Sequence, residues 1–162
     1  MAVQANVSGL TTIKIQVPSG SLLTLGYARN EPEVSLQPLV HDVHSDENGG
    51  DQGDPVEIQL LGVIALIRLR MTKYDPAVSE IVEKIASQAS VVGTPPTPGT
   101  LLFAASHTLR VLLASTTDPR NYPRCVVRSA IEVNRGTKYS ELVCEFTAYK
   151  NASGVLWNDT VV

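Results

Sequence analysis

The hydrophobic pattern of the chain is dominated by one segment, Val56–Tyr74, in which apolar and polar residues alternate with the period of a β-strand. In its first half the apolar residues are even-numbered, Ile58 and Leu60, whereas in its second half they are odd-numbered from Ile67 onward. Because strand side chains have a period of two, this change predicts a bulge or bend near Leu61-Gly62. A strand of about 18 residues spans roughly 60 Å. One domain core does not cover that length, so the surplus is predicted to meet other copies of the protein.

The rest of the pattern predicts a mainly β fold, an antiparallel β-sandwich or barrel-like sheet with one flanking α-helix. Two short alternating segments, Thr11 to Val17 and Leu22 to Tyr27, predict a hairpin. The segment Glu33 to Val43 predicts an edge strand or a broken strand because it contains Pro38. Four further strands are predicted in the second half of the chain: Leu101 to Ala104, Thr108 to Ala114, Cys125 to Val133 and Tyr139 to Tyr149.

One segment after the long strand has the periodicity of a helix. Asp75-Pro76 marks its start, because Asp can cap the free amides while Pro occupies the first helical position. The pattern predicts a helix over residues 76–89 with Ser79 facing outward and four apolar residues facing inward, namely Val78, Ile81, Val82 and Ile85. Loops are predicted at residues 41–55, 94–99, 118–123 and 134–136, the first of them acidic and glycine-bearing.

Composition and charge favour a single domain that assembles. The chain has 162 residues, enough for one domain with a real core, and its net charge is −3. Residues 1–60 carry eight acids and two bases, whereas residues 61–162 carry eight acids and eleven bases. This asymmetry is typical either of two differently solvated faces or of a subunit whose acidic and basic surfaces meet head to tail. Neither half is basic enough for a dedicated nucleic-acid binder.

Cysteine usage and hydropathy indicate a cytosolic origin. Cys125 and Cys144 fall on inward positions of predicted strands and are interpreted as buried thiols in a reducing compartment. The first residues lack the basic and apolar regions of a secretory signal. The longest apolar run, Leu60 to Ile67, is too short to span a bilayer. We therefore expect a protein made in the cytosol, soluble until it assembles and without a membrane partner.

The acidic loop holds the one cluster with metal-ligand chemistry: His41, Asp42, His44, Asp46 and Glu47. The two histidines are three residues apart, which on an extended strand places them on opposite faces. The spacing and the terminal Glu of an EF-hand calcium loop are missing. A solvated loop is the favoured interpretation, with a weak cation site and a metal-dependent enzyme as alternatives.

Nucleophilic and acid–base catalysis are poorly represented. His107 lies beside Ser106, but no G-x-S-x-G turn accompanies them. Glu141 and Glu145 share one face of a predicted strand and are interpreted as a solvated stripe rather than an acid–base pair. The pattern therefore favours a structural protein over an enzyme.

Several segments taken together resemble the small tail tube (major tail) proteins of tailed bacteriophages. The resemblance covers roughly residues 9–150 in layout. It consists of an acidic, glycine-bearing loop that runs into a very long strand, the helix start Asp75-Pro-Ala-Val78 and a Pro/Gly linker. Two further segments belong to it, Asp118-Pro-Arg-Asn-Tyr-Pro-Arg124 and Val133-Asn-Arg-Gly-Thr-Lys-Tyr-Ser140.

The resemblance implies a virion structural protein without catalytic residues, cofactor or metal, made in the cytoplasm of a bacterial host. It implies hexameric rings whose long strands form an oligomeric inner barrel, and rings stacked into a hollow tube through which DNA passes without specific binding. Other tail proteins, a sheath or terminator and a baseplate or tip, are the implied partners. A head–tail connector, a tail terminator and a capsid decoration protein are the alternatives.

The resemblance also implies which segments join subunits. It implies that residues 1–162 form one tail-tube-like domain, with the loop 44–54 and the terminal segments 1–8 and 151–162 as arms between subunits. The charged residues predicted at these contacts are Asp46, Glu47, Asp51, Asp54, Arg68, Arg70, Arg124 and Arg128. A lumen that conducts DNA is expected to be negative. Arg68 and Arg70 depart from that expectation, so we expect them to pair with acids of a neighbour or to lie on another face.

Overall fold

The protein is described by a computed structural model, in which residues 11–18, 20–28, 32–49, 53–86, 99, 101–103, 108–115, 119–133 and 141–159 are placed. The strands of this part are β1 (Thr11–Gln16), β2 (Leu22–Ala28), β3 (Glu33–Val43), β4 (Glu57–Tyr74), β5 (Leu109–Ala114), β6 (Arg120–Val133) and β7 (Glu141–Ala148), and its α-helix is α1 (Pro76–Ala86). Its one 3₁₀ turn is Asp46–Asn48. The predicted mainly β fold with one helix is confirmed.

All seven strands belong to one antiparallel sheet in the order β2-β1-β5-β6-β7-β4-β3. The first strand in this order, β2, also pairs with the sixth, β4, through residues Gly26 to Ala28 of β2 and the end of β4. Six strands therefore close into a barrel, and β3 lies outside it along the edge of β4. The prediction that Glu33–Val43 is an edge strand is confirmed, and Pro38 is tolerated there because its missing amide costs no ladder bond on an unpaired edge.

The core fills the inside of this barrel. Alternate residues of β4 and β7 contribute to it, because every second strand residue faces inward. Its largest fully buried side chains include Tyr122, Phe146, Ile13, Ile15, Leu25, Ile67, Leu69, Met71 and Leu142. Complete burial of such side chains contributes about 1.5–3 kcal/mol each. The filled barrel fixes the direction in which the longer strands leave it.

Helix α1 packs against β6 and β2. Its cap is the predicted one, since Asp75 Oδ1 accepts a hydrogen bond from the Ala77 amide at 2.9 Å. The predicted outward position of Ser79 is wrong, because this residue is buried and its hydroxyl donates to the Pro76 carbonyl at 2.9 Å. That local bond lets a small polar side chain lie on the packed face. The predicted helical residues 87–89 lie outside the described part of the chain.

The predicted break in β4 is confirmed. Leu39 of β3 lies opposite Gly62 of β4, but the next residue, Val40, lies opposite Leu60, so Leu61 is an extra residue in the ladder. A bulge of this kind shifts the phase of the side chains by one. As a consequence Leu60 stays on the face of β4 that carries the core residues, although its number is even.

Three predicted boundaries are wrong. Leu101–Phe103 is an exposed turn rather than a strand, and the Phe103 carbonyl accepts from the Arg124 side chain instead of a neighbouring strand. Residues 41–43 belong to β3 because they pair with residues 57–59 of β4, which outweighs their polar composition. Residues 120–123 begin β6 because they pair with β5, and Pro123 falls at an irregularity in that ladder. The predicted linker 94–98 and turn 134–136 lie outside the described residues.

Candidate assembly surfaces

A two-stranded arm projects from the barrel: it consists of residues 36–43 of β3 and 57–64 of β4, with the 3₁₀ turn Asp46–Asn48 beyond them. Strand β7 pairs with β4 only from Ala65 to Met71, whereas β3 continues along β4 as far as Glu57. The eight residues from Glu57 to Ile64 therefore lie beyond the barrel with β3 as their partner, an extension of about 25 Å. The arm is the surplus length that the pattern of the sequence predicted.

One face of the arm is apolar and uncovered. Residues that face each other across a ladder share a side of the sheet, so four apolar residues continue the core-facing side of β4 and β3 past the end of the barrel. They are Leu36, Val40, Ile58 and Leu60, which are 50%, 52%, 58% and 61% exposed. The bulge at Leu61 is what keeps the last two on this side. Contiguous exposed apolar surface on a soluble subunit typically marks an interaction site.

The arm is also acidic. The sequence has no Lys or Arg between residues 30 and 67 but has six acids from Asp42 to Glu57. Asp46 and Glu47 lie exposed in the 3₁₀ turn, which Ser45 caps by accepting from the Glu47 amide at 3.3 Å. Asp54 is exposed too, whereas Asp51 lies outside the described residues. The structure thus places three of the predicted acidic contact residues, Asp46, Glu47 and Asp54, at the far end of the arm.

The opposite side of the sheet carries a polar ladder across β6, β7 and β4. Arg68 Nε lies 3.4 Å from Glu145 Oε1. Arg70 Nε lies 3.3 Å from Glu141 Oε1. The second oxygen of Glu145 accepts from the Ser129 hydroxyl at 3.2 Å. Both arginines therefore have carboxylate partners in their own chain, and the two glutamates read as a solvated stripe in the sequence are those partners.

The other two arginines of the predicted contact set are also engaged within the subunit. Arg128 donates to Thr147 Oγ1 at 3.0 Å and to Tyr149 Oη at 2.7 Å. Arg124 donates to the carbonyls of Lys150 and Phe103, each at 3.2 Å, and its guanidinium lies 4.2 Å from the centre of the Phe103 ring. Such contacts fix both side chains, and Arg128 lines a pocket together with Glu33, Arg68 and Glu145. The role of all four arginines between subunits stays a prediction.

Two strand edges of the described sheet are open. Strand β3 pairs only with β4, so its other edge has no partner. Strand β5 pairs with β6 only as far as Cys125, so residues 126–133 of β6 have an open edge within the described part of the chain. These edges flank the four strands β6-β7-β4-β3, one on each side. Open edges are templates for pairing with another chain.

Within the described residues, no group of three or more His, Cys, Asp or Glu side chains is placed to hold a metal ion. His41 lies in β3, whereas His44 follows the strand.

Burial raises the pKa of both thiols, Cys125 and Cys144, to about 12, and both cysteines are free. A thiol with so high a pKa is not a nucleophile near neutral pH. No helix among the described residues is long and apolar enough to cross a membrane.

The C-terminal segment packs on its own barrel as far as it is described. Backbone hydrogen bonds of 2.9 and 3.0 Å join Asn121 to Asn158, and their side chains are joined at 2.9 Å. The Arg120 guanidinium lies 4.6 Å from the centre of the Trp157 ring. The predicted arms at residues 1–8 and 160–162 lie outside the described residues. That the terminal segments bridge subunits stays a prediction.

No protein-family model matches the chain, and no curated protein matches it. A solved structure described as the tail of an empty GTA (gene transfer agent) particle, computed with helical refinement and C6 symmetry, is similar to it with a TM-score of 0.54. The chain has the fold of that tail component. The sequence identity is 14%, and the match covers 93% of this chain and 96% of that chain. The predicted resemblance to phage tail proteins is confirmed at the level of the fold, and this structural neighbour is a tail component rather than an enzyme.

Proposed function

We propose that the protein is the subunit of a phage tail tube, in which six copies form a ring and rings stack into a hollow conduit for DNA delivery. The observation that carries the proposal is the four-stranded sheet β6-β7-β4-β3, which has an open edge on each side and a projecting arm. The fold shared with a tail of C6 symmetry supports it. No catalytic step belongs to this function, whose mechanism is geometric.

The open edges suit ring closure. Consecutive strands of the sheet are antiparallel, so β6 and β3 run in opposite directions and a neighbour's β3 can continue β6 in the same alternating pattern. Six copies of four strands make 24 strands. With strands about 4.8 Å apart and tilted by about 40°, such a barrel is about 45–50 Å across between backbones. Side chains about 5 Å long leave a channel wide enough for a DNA duplex.

The arm suits contact with a second copy. Its apolar face is exposed to water in the isolated subunit, so burying it against a second copy is favourable. Its acids are complementary in charge to residues 61–162, which contain eleven bases. We propose that Asp46, Glu47 and Asp54, together with Asp51, approach a neighbour's Arg124 and Arg128. The surfaces that meet are different parts of the chain, so the contact is heterologous and closes only as a ring or continues as a stack. Tail terminator, sheath and baseplate or tip proteins are the partners proposed at the outside and the ends.

Electron microscopy of the purified protein at high concentration tests the proposal. Hollow tubes of uniform width are the expected result. Single closed rings would instead favour a head–tail connector or a tail terminator. Dispersed monomers at every concentration, with and without added tail tip components as initiators, would contradict the tube.

A further inference from the structure

We propose that the ion-pair ladder Arg68–Glu145 and Arg70–Glu141 neutralises the wall of the conduit within each subunit, so that DNA passes without being held. The inference rests on the proposed function and concerns how that function treats its cargo. It assigns a role to two glutamates and two arginines that the fold alone does not explain. The wall is made non-adhesive by pairing its cations, rather than by carrying only acids.

The polarity of the sheet decides which face is the wall. One side of β4 carries core residues and continues into the uncovered apolar face of the arm, so this side must be packed in an assembly. The other side carries the ladder and Ser129. Along the arm it also carries Leu39 and Val43, which are less exposed than the four residues of the apolar face. Edge-to-edge joining of sheets leaves this second side continuous around the ring. It is therefore the side that stays wet.

The geometry of the ladder keeps its cations compensated. Arg68 of β4 lies directly opposite Glu145 of β7, which places the two side chains as neighbours across the strands. Ser129 holds the second oxygen of that carboxylate, so the acid is fixed on the arginine. Arg70 reaches Glu141 at 3.3 Å, although the residue opposite it is Val143. Two pairs per subunit and C6 symmetry give twelve compensated arginines per ring.

Unpaired, the same arginines would form a ring of phosphate-binding sites. DNA affinity grows with the number of phosphates that a surface neutralises, with a salt slope of about −0.9 per phosphate. About six such contacts change the affinity by about a thousandfold between 50 and 200 mM salt. A cation ladder repeated along stacked rings would thus hold a duplex at low salt. Guanidinium forks bind phosphate well, which makes their neutralisation by carboxylates necessary in a conduit.

The test compares two double variants with the same change of charge. E141Q/E145Q removes both acids of the ladder, whereas E80Q/E83Q removes two acids from α1, one of which pairs with Lys84 at 2.7 Å. Gln preserves the size of each side chain. Tubes of each protein, verified by electron microscopy, are incubated with a short fluorescent DNA duplex, pelleted and treated with nuclease. The readout is the fraction of DNA that is retained and protected.

We expect wild-type tubes to retain almost no protected duplex at 50 mM salt. Tubes of E141Q/E145Q are expected to retain at least about tenfold more, and to release it at 200 mM salt. The helix variant should stay within about twofold of the wild type in protected DNA, because Lys84, which loses a carboxylate partner in this variant, is not one of the paired arginines of the ladder. Adding E33Q should raise retention further, since Glu33 lies opposite Arg68 on β3.

Two results would overturn the inference. Equal retention by the ladder and helix variants would show that the ladder does not govern DNA adhesion. Retained DNA that nuclease digests would place the ladder on the outside of the tube. If E141Q/E145Q does not assemble, E145Q alone supplies the same comparison against E80Q. Absence of tubes from the wild-type protein would instead refute the proposed function, and that outcome is seen before any DNA is added.

Discussion

Replacing the apolar face of the arm should abolish assembly while leaving the subunit folded. We take the variant I58S/L60S, whose two side chains are 58% and 61% exposed in the isolated subunit. Burying a Leu or Ile fully is worth about 1.5–3 kcal/mol, so covering the exposed part is worth about 1–2 kcal/mol for each. Two substitutions therefore weaken one subunit contact by about 2–4 kcal/mol, which is about 30- to 700-fold in the equilibrium constant.

The assay is pelleting of assembled tubes across a range of protein concentrations, together with thermal unfolding of the unassembled subunit. The expected result is a critical concentration that rises by at least about 30-fold, with the subunit's free energy of unfolding changed by less than about 0.5 kcal/mol. The matched control is Q37S/Q59S, which shortens two side chains on the opposite face of the same arm. Wild-type assembly of I58S/L60S would refute the reasoning. So would a subunit that unfolds at markedly lower temperature, because the arm would then belong to the core.

Three further predictions concern the subunit itself. Deletion of residues 45–53 should leave the thermal unfolding of the subunit close to wild type but prevent stacking, and tubes of normal length by electron microscopy would contradict the role given to the loop. D75A removes the helix cap, which bonds the Ala77 amide at 2.9 Å; urea unfolding should show a loss of about 0.5–2 kcal/mol, whereas D54A on the arm should show none. Burial raises the pKa of Cys125 and Cys144 from 9.0 to about 12, so the folded state keeps thiol protons that the unfolded state loses. The free energy of unfolding that comes from this source is present below pH 9 and is lost as the pH rises toward 12. The variant C125A/C144A should therefore lose less free energy of unfolding between pH 8 and pH 10 than the wild type does.

The sequence predicts the strands of this protein well where side chains alternate, because one buried face is enough to fix the phase. It also predicts the bulge, since the change of apolar parity around Leu61 has no other explanation in a continuous strand. The predictions that were wrong concern segments whose conformation is set by distant partners. Residues 41–43 have the composition of a loop but extend β3, because they pair with β4. Leu101 to Phe103 has the composition of a strand but forms a turn, and no strand pairs with it among the described residues.

The assembly surfaces were only partly predictable. The acidic end of the arm is visible as a run of acids without bases, and the arginines are visible as alternate residues of a strand. The carboxylate partners of the arginines could not be predicted from the sequence, because Glu141 and Glu145 are about 75 residues from Arg68 and Arg70 in the chain. Only the register of β4 against β7 brings them together. Barrel closure was also hidden, since the pairing of β2 with the end of β4 covers only three residues.

In the proposed tube, sheets of six subunits join edge to edge and present the ladder to the channel. A cryo-electron microscopy reconstruction of tubes grown from the wild-type protein tests this arrangement most directly. We predict a continuous antiparallel barrel of 24 strands, with β3 of each subunit beside residues 126–133 of its neighbour and Arg68 and Arg70 facing the lumen. A tube in which the open edge of β3 faces solvent, or in which the ladder lies on the outer surface, would contradict it.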